Sequence, residues 1–380
     1  MLVLATSVPA ITHLGHPIIA LVDALKRINA LGHHVGIISN HDKPHWFDQT
    51  FSGSNVGFRK AEGRQNGNVI REAAKAFGAN PFDFLVLAST NDDVQMAKNG
   101  GAVLIGAGWS PDQDIRDLGL SVNSPAQIEE LIQLINGWNG RWWFNGAMPT
   151  YTAKALVNLS SMGNNISAAQ QAFGQRLTNT VKNGGNRLTA LTAIAAKSLL
   201  IDGTNNFGNL IWGVYPSSSN TGANDEVLTD FCHRLRTTVS KVRYARRGEP
   251  LFLRHTASTK RSTNKSSQNR LDPTEQIETI HLNPVYKKTM RGRNVIVIDD
   301  CTTYGLSFAV AAGFLFKAGA ASVTGIALGK FGNSLNYFDV KINSDPFSPV
   351  SRHQFSCSPP QPFTGQTDHT AQNILIQLIP

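Results

Sequence analysis

The chain has 380 residues, 41% of them hydrophobic and 16% charged, and 35 Lys and Arg against 26 Asp and Glu give a formal net charge of +9. That length exceeds one ordinary core and implies about two domains. The apolar content excludes a wholly disordered chain, and no apolar run reaches the roughly 18–20 residues of a membrane helix.

From the N-terminus, the apolar run at Leu2–Leu4 lacks a basic flank, so it reads as a buried first strand rather than a signal peptide. Ile18, Leu21, Val22, Leu25 and Ile28 have helical spacing over Ile18–Leu31, closed by Gly32. His34–Ser39 predicts a strand, Asn68–Phe77 a helix closed by Gly78, and Phe84–Leu87 a strand. A helix from about Val94 and a strand at Ala102–Ile105 follow. Such alternation implies a parallel sheet covered on both faces. Residues 137–205, rich in Asn, Gln, Ala and Leu, read as helical, with breaks at Gly163–Asn165 and Gly184-Gly185. Trp138, Trp142 and Trp143 at their start read as core or interdomain anchors rather than a base-stacking platform, since no charge is interleaved with them.

A second α/β pattern starts at Asn209, with a strand at Leu210–Tyr215, a helix at Asp225–Val239 and a short strand at Leu251–Arg254. Residues 256–276 form a polar, basic loop, long enough to imply function or disorder. Asn294–Ile298 predicts a buried strand, Ser307–Ala318 a helix and Val323–Leu328 a strand, and a Ser-, Pro- and Gln-rich tail follows Gly332. The charge is divided the same way. Residues 1–136 carry −3 and residues 137–380 carry +12, with 11 Lys and Arg but only Glu249 in 233–270. An asymmetry of this size points to an anionic partner, with a solvated basic face as the plainer reading. Cys232, Cys301 and Cys357 are too few and scattered for a disulfide framework and fit a reducing cytoplasm.

The sharpest motif is Val295–Ser307, VIVIDDCTTYGLS. An apolar strand ends in Asp299 and Asp300, a small-residue turn follows, and a helix begins. The strand end opens into a ligand crevice, and the helix N-terminus offers unpaired amides to a phosphate. Gly305 can adopt a positive φ, Thr302, Thr303 and Ser307 add hydroxyl donors, and two carboxylates can accept hydrogen bonds from vicinal sugar hydroxyls. Together they describe a ribose 5-phosphate pocket.

These residues resemble the signature of type I phosphoribosyltransferases for 5-phosphoribosyl 1-diphosphate (PRPP). Cys301 and Thr302 replace its usual apolar pair, and Tyr304 replaces a small residue. The likeness runs over roughly residues 209–330. The strand before Pro216, the basic loop with Ser267-Gln268-Asn269-Arg270 and the acid-pair strand most resemble the ComF-like branch. The resemblance implies that Asp299 and Asp300 hold the ribose hydroxyls and that Thr302, Thr303, Tyr304, Gly305, Leu306 and Ser307 hold the 5-phosphate. It further implies that Ser217, Ser218, Ser219 and Asn220 meet the diphosphate, that Lys260, Arg261, Lys265 and Arg270 stabilise charge as the loop closes, and that Mg²⁺ enters with PRPP.

Residues 1–110 resemble the haloacid dehalogenase (HAD) superfamily: Gly36–Asn40 its second motif, Lys60 its third-motif lysine, and Ala88–Ala102, with Asp93, its fourth. The catalytic aspartates of that family are missing. No acid precedes Asp23, Ala5 and Ser7 stand at the expected positions, and Ser89 replaces the first acid of the fourth motif. Only Asp92 and Asp93 remain as metal ligands, so carboxylate nucleophilic catalysis is excluded and a binding or scaffolding module is expected. His33, His34, His41 and His45 fit no zinc spacing.

The expected architecture is therefore α/β: two Rossmann-like three-layer domains, HAD-like at 1–136 and phosphoribosyltransferase-like at 206–335. A helical connector or hood at 137–205 joins them and a tail at 336–380 ends the chain. The expected activity is phosphoribosyl transfer to an acceptor that the sequence does not identify. The expected assembly is a cytoplasmic homo-oligomer without membrane contact. Paired domains of these two kinds also resemble components of bacterial stress or phage-defence clusters. The competing reading is a non-enzymatic nucleotide sensor or nucleic-acid binder, with basic residues 234–247 meeting nucleic acid or protein.

Overall fold

The computed structural model describes residues 1–160, 166–218, 226–239, 241, 249–258 and 271–379. The chain divides into two compact units. Unit 1 contains residues 1–140, 192–208 and 233–246, and unit 2 contains residues 141–191, 209–232 and 247–380.

Unit 1 runs β1 (Val3–Thr6), α1 (Ile19–Ala30), β2 (His34–Ser39), β3 (Gly57–Lys60), α2 (Asn68–Phe77), β4 (Phe84–Ala88), α3 (Asn91–Gly100), β5 (Val103–Ala107), β6 (Leu120–Val122) and α4 (Pro125–Gly137). Its six strands are parallel, in the order β3-β2-β1-β4-β5-β6. β4 and β5 are buried along their whole length because helices cover both faces. Thr90 and Asp93 form a capping box that starts α3.

Unit 2 starts with β7 (Phe144–Ala147) and β8 (Thr152–Asn158), then α5 (Ala168–Asn183) and α6 (Asn186–Ile201). The two strands correct the helical reading of residues 137–205. In Thr152–Asn158 the side chains of Ala153, Ala155, Leu156 and Val157 are buried, and the composition concealed a strand that pairs with β7 on one edge and with residues 324–330 on the other. The unit continues with β9 (Leu210–Val214), α7 (Glu226–Val239), β10 (Phe252–Arg254), α8 (Thr274–Thr279), β11 (Ile280–Leu282), β12 (Asn294–Thr302), α9 (Leu306–Lys317) and β13 (Ser322–Lys330). The tail holds β14 (Ser334–Tyr337), β15 (Val340–Ile342), β16 (Phe355–Cys357), β17 (Gln361–Thr364), β18 (Gln366–Thr367) and α10 (His369–Leu378). The division between units falls inside α6 and α7.

The main sheet of unit 2 has the order β9-β12-β13-β8-β7-β18. β9, β12, β13 and β8 are parallel, whereas β7 and β18 are antiparallel additions. β10 pairs with β11 in a separate ribbon. β14 pairs with β17, and β15 with β16, so the tail is built into unit 2. α9 is apolar on nearly every side and sits in the core with Val295, Val297 and Val323. Trp142 and Trp143 are buried in unit 2. Trp138 is buried in unit 1, where its Nε1 donates to Ser198 Oγ at 2.9 Å. All three therefore serve packing.

Candidate functional site

β12 runs through the core and delivers two carboxylates to its C-terminal end. Asp299 is 8% exposed and Asp300 half-buried. Asp299 Oδ1 accepts the Asp300 amide at 2.9 Å, and Asp300 Oδ1 accepts the Cys301 amide at 2.5 Å. Burial, and after it the Asp300 charge, holds the Asp299 carboxyl well above the usual carboxylate range, against the hydrogen bond from the Ser307 hydroxyl.

The turn from β12 to α9 has a directed backbone. Thr302 O accepts Phe331 N at 2.9 Å, Thr303 O accepts Lys330 Nζ at 2.9 Å, and Tyr304 O accepts Asn336 N at 3.1 Å. Gly305 O accepts the amides of Phe308 and Ala309, each at 3.1 Å. Every carbonyl from Thr302 to Gly305 is thereby occupied. The amides of Tyr304, Leu306 and Ser307 make no hydrogen bond among the described residues. Outward carbonyls and open amides at a helix N-terminus form an anion cradle. Thr302 Oγ1 accepts the Gly305 amide at 3.0 Å, so this hydroxyl staples the turn. Gly305 has φ +81°, and a Cβ there would lie 2.7 Å from Leu335 Cδ2, so only glycine fits. Leu335 is held in place because β17 pairs with β14.

A second loop lies beside the first. Val214 of β9 is in register with Ile298, and Tyr215 N donates to Ile298 O at 2.8 Å. Pro216–Ser218 therefore leaves the sheet next to Asp299. Its carbonyls are also occupied. Arg254 Nε donates to Ser217 O at 2.5 Å, Arg254 Nη2 to Pro216 O at 3.3 Å, and Ser258 N to Ser218 O at 2.9 Å.

The structure thus brings Asp299, Asp300, Thr302, Thr303, Tyr304, Gly305, Leu306 and Ser307 to one strand end, with Ser217 and Ser218 adjoining. Ser219, Asn220, Lys260, Arg261, Lys265 and Arg270 lie outside the described residues. Two cations were missed by sequence reasoning, Arg254 and Lys330. Lys330 is fully buried at the end of β13, and its Nζ also donates to Ser334 O at 2.8 Å and Phe331 O at 3.3 Å. The available signal was position, since Arg254 ends a predicted strand and Lys330 lies two residues past another. Among the described residues no group of three or more His, Cys, Asp and Glu could hold a metal ion. Asp299 and Asp300 fit a cation that brings most of its oxygen ligands with a substrate, rather than a protein cage.

Unit 1 presents different chemistry at the HAD-like positions. Asp93 is fully buried and ion-paired with Arg64. Its Oδ2 accepts the Ser7 hydroxyl at 2.8 Å and the amides of Ser89 and Thr90 at 3.0 Å each. Asp92 Oδ2 accepts Asn40 Nδ2 at 3.0 Å. Lys60, the residue matched to the third-motif lysine, instead faces Asp42 at 2.9 Å and is 44% exposed. The guanidinium that reaches the fourth-motif acid belongs to Arg64. His33 Nδ1 accepts the Leu2 amide at 3.3 Å, and His34 stacks on Phe77 with ring centroids 4.2 Å apart. In the basic stretch, Arg234 and Arg236 are half-buried on α7 and Lys241 is exposed, while residues 242–248 lie outside the described residues.

No described helix is long and apolar enough to cross a membrane. No protein-family model matches the chain, and no curated protein matches it. Among solved structures, one similar chain is the cobalt-bound deoxy-D-mannose-octulosonate 8-phosphate phosphatase of Haemophilus influenzae, at 11% identity and TM-score 0.30, covering 36% of this chain and 90% of that chain. Another, from Lactobacillus delbrueckii subsp. bulgaricus, is described as a phosphoglycolate phosphatase. It has 19% identity and TM-score 0.27, and the match covers 30% of this chain and 53% of that chain. At those TM-scores neither likeness carries an assignment, and the chain is placed by its own topology as an α/β protein with two parallel-sheet cores.

Proposed function

We propose that unit 2 is a PRPP-dependent phosphoribosyltransferase and that unit 1 is a binding or scaffolding module without phosphatase catalysis. One observation carries the first part: two adjoining loops with their carbonyls bound outward flank the carboxylate pair near the end of β12, of which Asp299 is buried and Asp300 half-buried. In this reading the open amides from Tyr304 to Ser307 hold the 5-phosphate. Asp299 and Asp300 accept the ribose hydroxyls, and Pro216–Ser218 faces the departing diphosphate. Breaking the C1–diphosphate bond leaves positive charge on the sugar ring, which the carboxylates stabilise electrostatically. Mg²⁺, arriving with PRPP, neutralises diphosphate charge. The ionised form of Asp299, disfavoured by burial, gains stability when hydroxyls or a cation approach.

The second part rests on Asp93, whose carboxylate is consumed by Arg64, Ser7 and two amides, and on a first strand without an acid. Isothermal titration with PRPP and Mg²⁺ tests the transferase reading. Micromolar binding that is lost in the Asp299→Ala, Asp300→Ala variant supports it, and binding that ignores these substitutions refutes it. A cytoplasmic setting, a homo-oligomeric assembly and a role in stress or phage defence belong to the same proposal.

A further inference from the structure

Arg254 and Lys330 are spent on backbone rather than on carboxylates. Lys330 directs its three donors to the carbonyls of Thr303, Phe331 and Ser334. Arg254 spans Pro216 O, Ser217 O and Thr279 Oγ1. Among the described residues neither donates to a carboxylate. The two cations thus do the same job at two different loops: each turns carbonyl oxygens, which would repel an anion, out of a loop beside Asp299. Lys330 also leaves positive charge behind its loop, where low dielectric strengthens its pull on a bound anion, whereas Arg254 has Glu275 as a charged neighbour.

We infer that Lys330 and Arg254 are positioning residues for the two anion subsites of that reading, Lys330 behind the Thr302–Ser307 turn and Arg254 behind Pro216–Ser218. The inference rests on the transferase reading for the identity of the ligand, but it assigns the discrimination between the two ends to residues outside the signature. Burial pushes the Lys330 ammonium down to about 8 and is its only resolved influence. What surrounds it is the three carbonyls and the Phe144 ring, 5.2 Å from Nζ. Arg254 remains charged across the working range. The two subsites should therefore differ in their response to pH.

The test uses the full chain and three probes: ribose 5-phosphate, Mg²⁺-pyrophosphate and Mg²⁺-PRPP, each followed by isothermal titration. Lys330→Met is expected to weaken ribose 5-phosphate at least tenfold and pyrophosphate less than threefold. Arg254→Met is expected to do the reverse, and both weaken PRPP. For wild type, which needs no altered fold, ribose 5-phosphate affinity should fall about tenfold between pH 7.5 and 9 as Lys330 loses its proton, while pyrophosphate affinity holds. Equal losses of both probes in either variant, or a flat ribose 5-phosphate profile, overturn the inference while PRPP binding keeps the transferase reading intact. Wild type that binds none of the three overturns both.

Discussion

The buried pair in unit 1 offers a sharp test of whether Asp93 is a structural anchor or an open ligand. The Arg64 and Asp93 side chains are 5% and 0% exposed. Arg64→Met keeps most of the apolar stem and removes the charge. Asp93 would then be a buried carboxylate with donors on Oδ2 from Ser7, Ser89 and Thr90 but no counter-ion. Breaking such a pair costs about 3–5 kcal/mol. The lower part of that range applies, because the remaining donors share the charge and Arg64 Nε has no partner to lose. A loss of about 3–4 kcal/mol lowers the transition of a unit of this size by roughly 6–16 °C. Calorimetry of the full chain reads that shift. Adding Asp93→Asn should recover about 1–2 kcal/mol, since the amide oxygen can keep the Oδ2 contacts without a charge to bury. A single variant that loses less than 1 kcal/mol, or a double variant no more stable than the single one, would refute the reasoning and reopen Asp93 as a ligand for an added cation.

Three further outcomes are expected. The folded-state pKa of Asp299 lies above its unfolded value, so the folded protein binds the extra proton and stability falls as pH rises through the interval between them; Asp299→Asn removes that decline, leaves the variant more stable than wild type at neutral pH, and weakens PRPP roughly 10- to 150-fold, as thermal melts across pH and titration would show. Gly305→Ala combines a left-handed backbone with a Cβ 2.7 Å from Leu335, costing about 2–4 kcal/mol; adding Leu335→Ala relieves the contact but not the backbone term, so recovery in urea melts should be partial. Truncation after Pro360 removes β17 and frees Leu335 from the turn, so ribose 5-phosphate binding should drop at least tenfold; unchanged binding would show that the tail does not support the loop.

The elements nearest the site were legible because each is written in a short local pattern. Val295–Ile298 is a continuous apolar run that ends in two acids, and Gly305 marks the turn at which α9 begins. β8 was not legible. Its seven residues read as helix by composition, and they are a strand because β7, just before it, and β13, more than a hundred residues later, hold its two edges. β-structure draws its stability from partners rather than from propensity, so a window of sequence does not contain the deciding information.

The same distinction separates the two halves of the site. The sequence alone determined the residue types at the crevice: a strand end with paired carboxylates, a glycine turn and hydroxyls. Only the tertiary structure decided which cation meets which carbonyl. Lys330 lies behind the turn because β13 pairs with β12, and Arg254 reaches Pro216 and Ser217 from a ribbon outside the main sheet. Arg64 rather than Lys60 meets Asp93. Buried charges are tolerable only where donors and acceptors converge in three dimensions, and that convergence comes from strand order, which no spacing along the chain records.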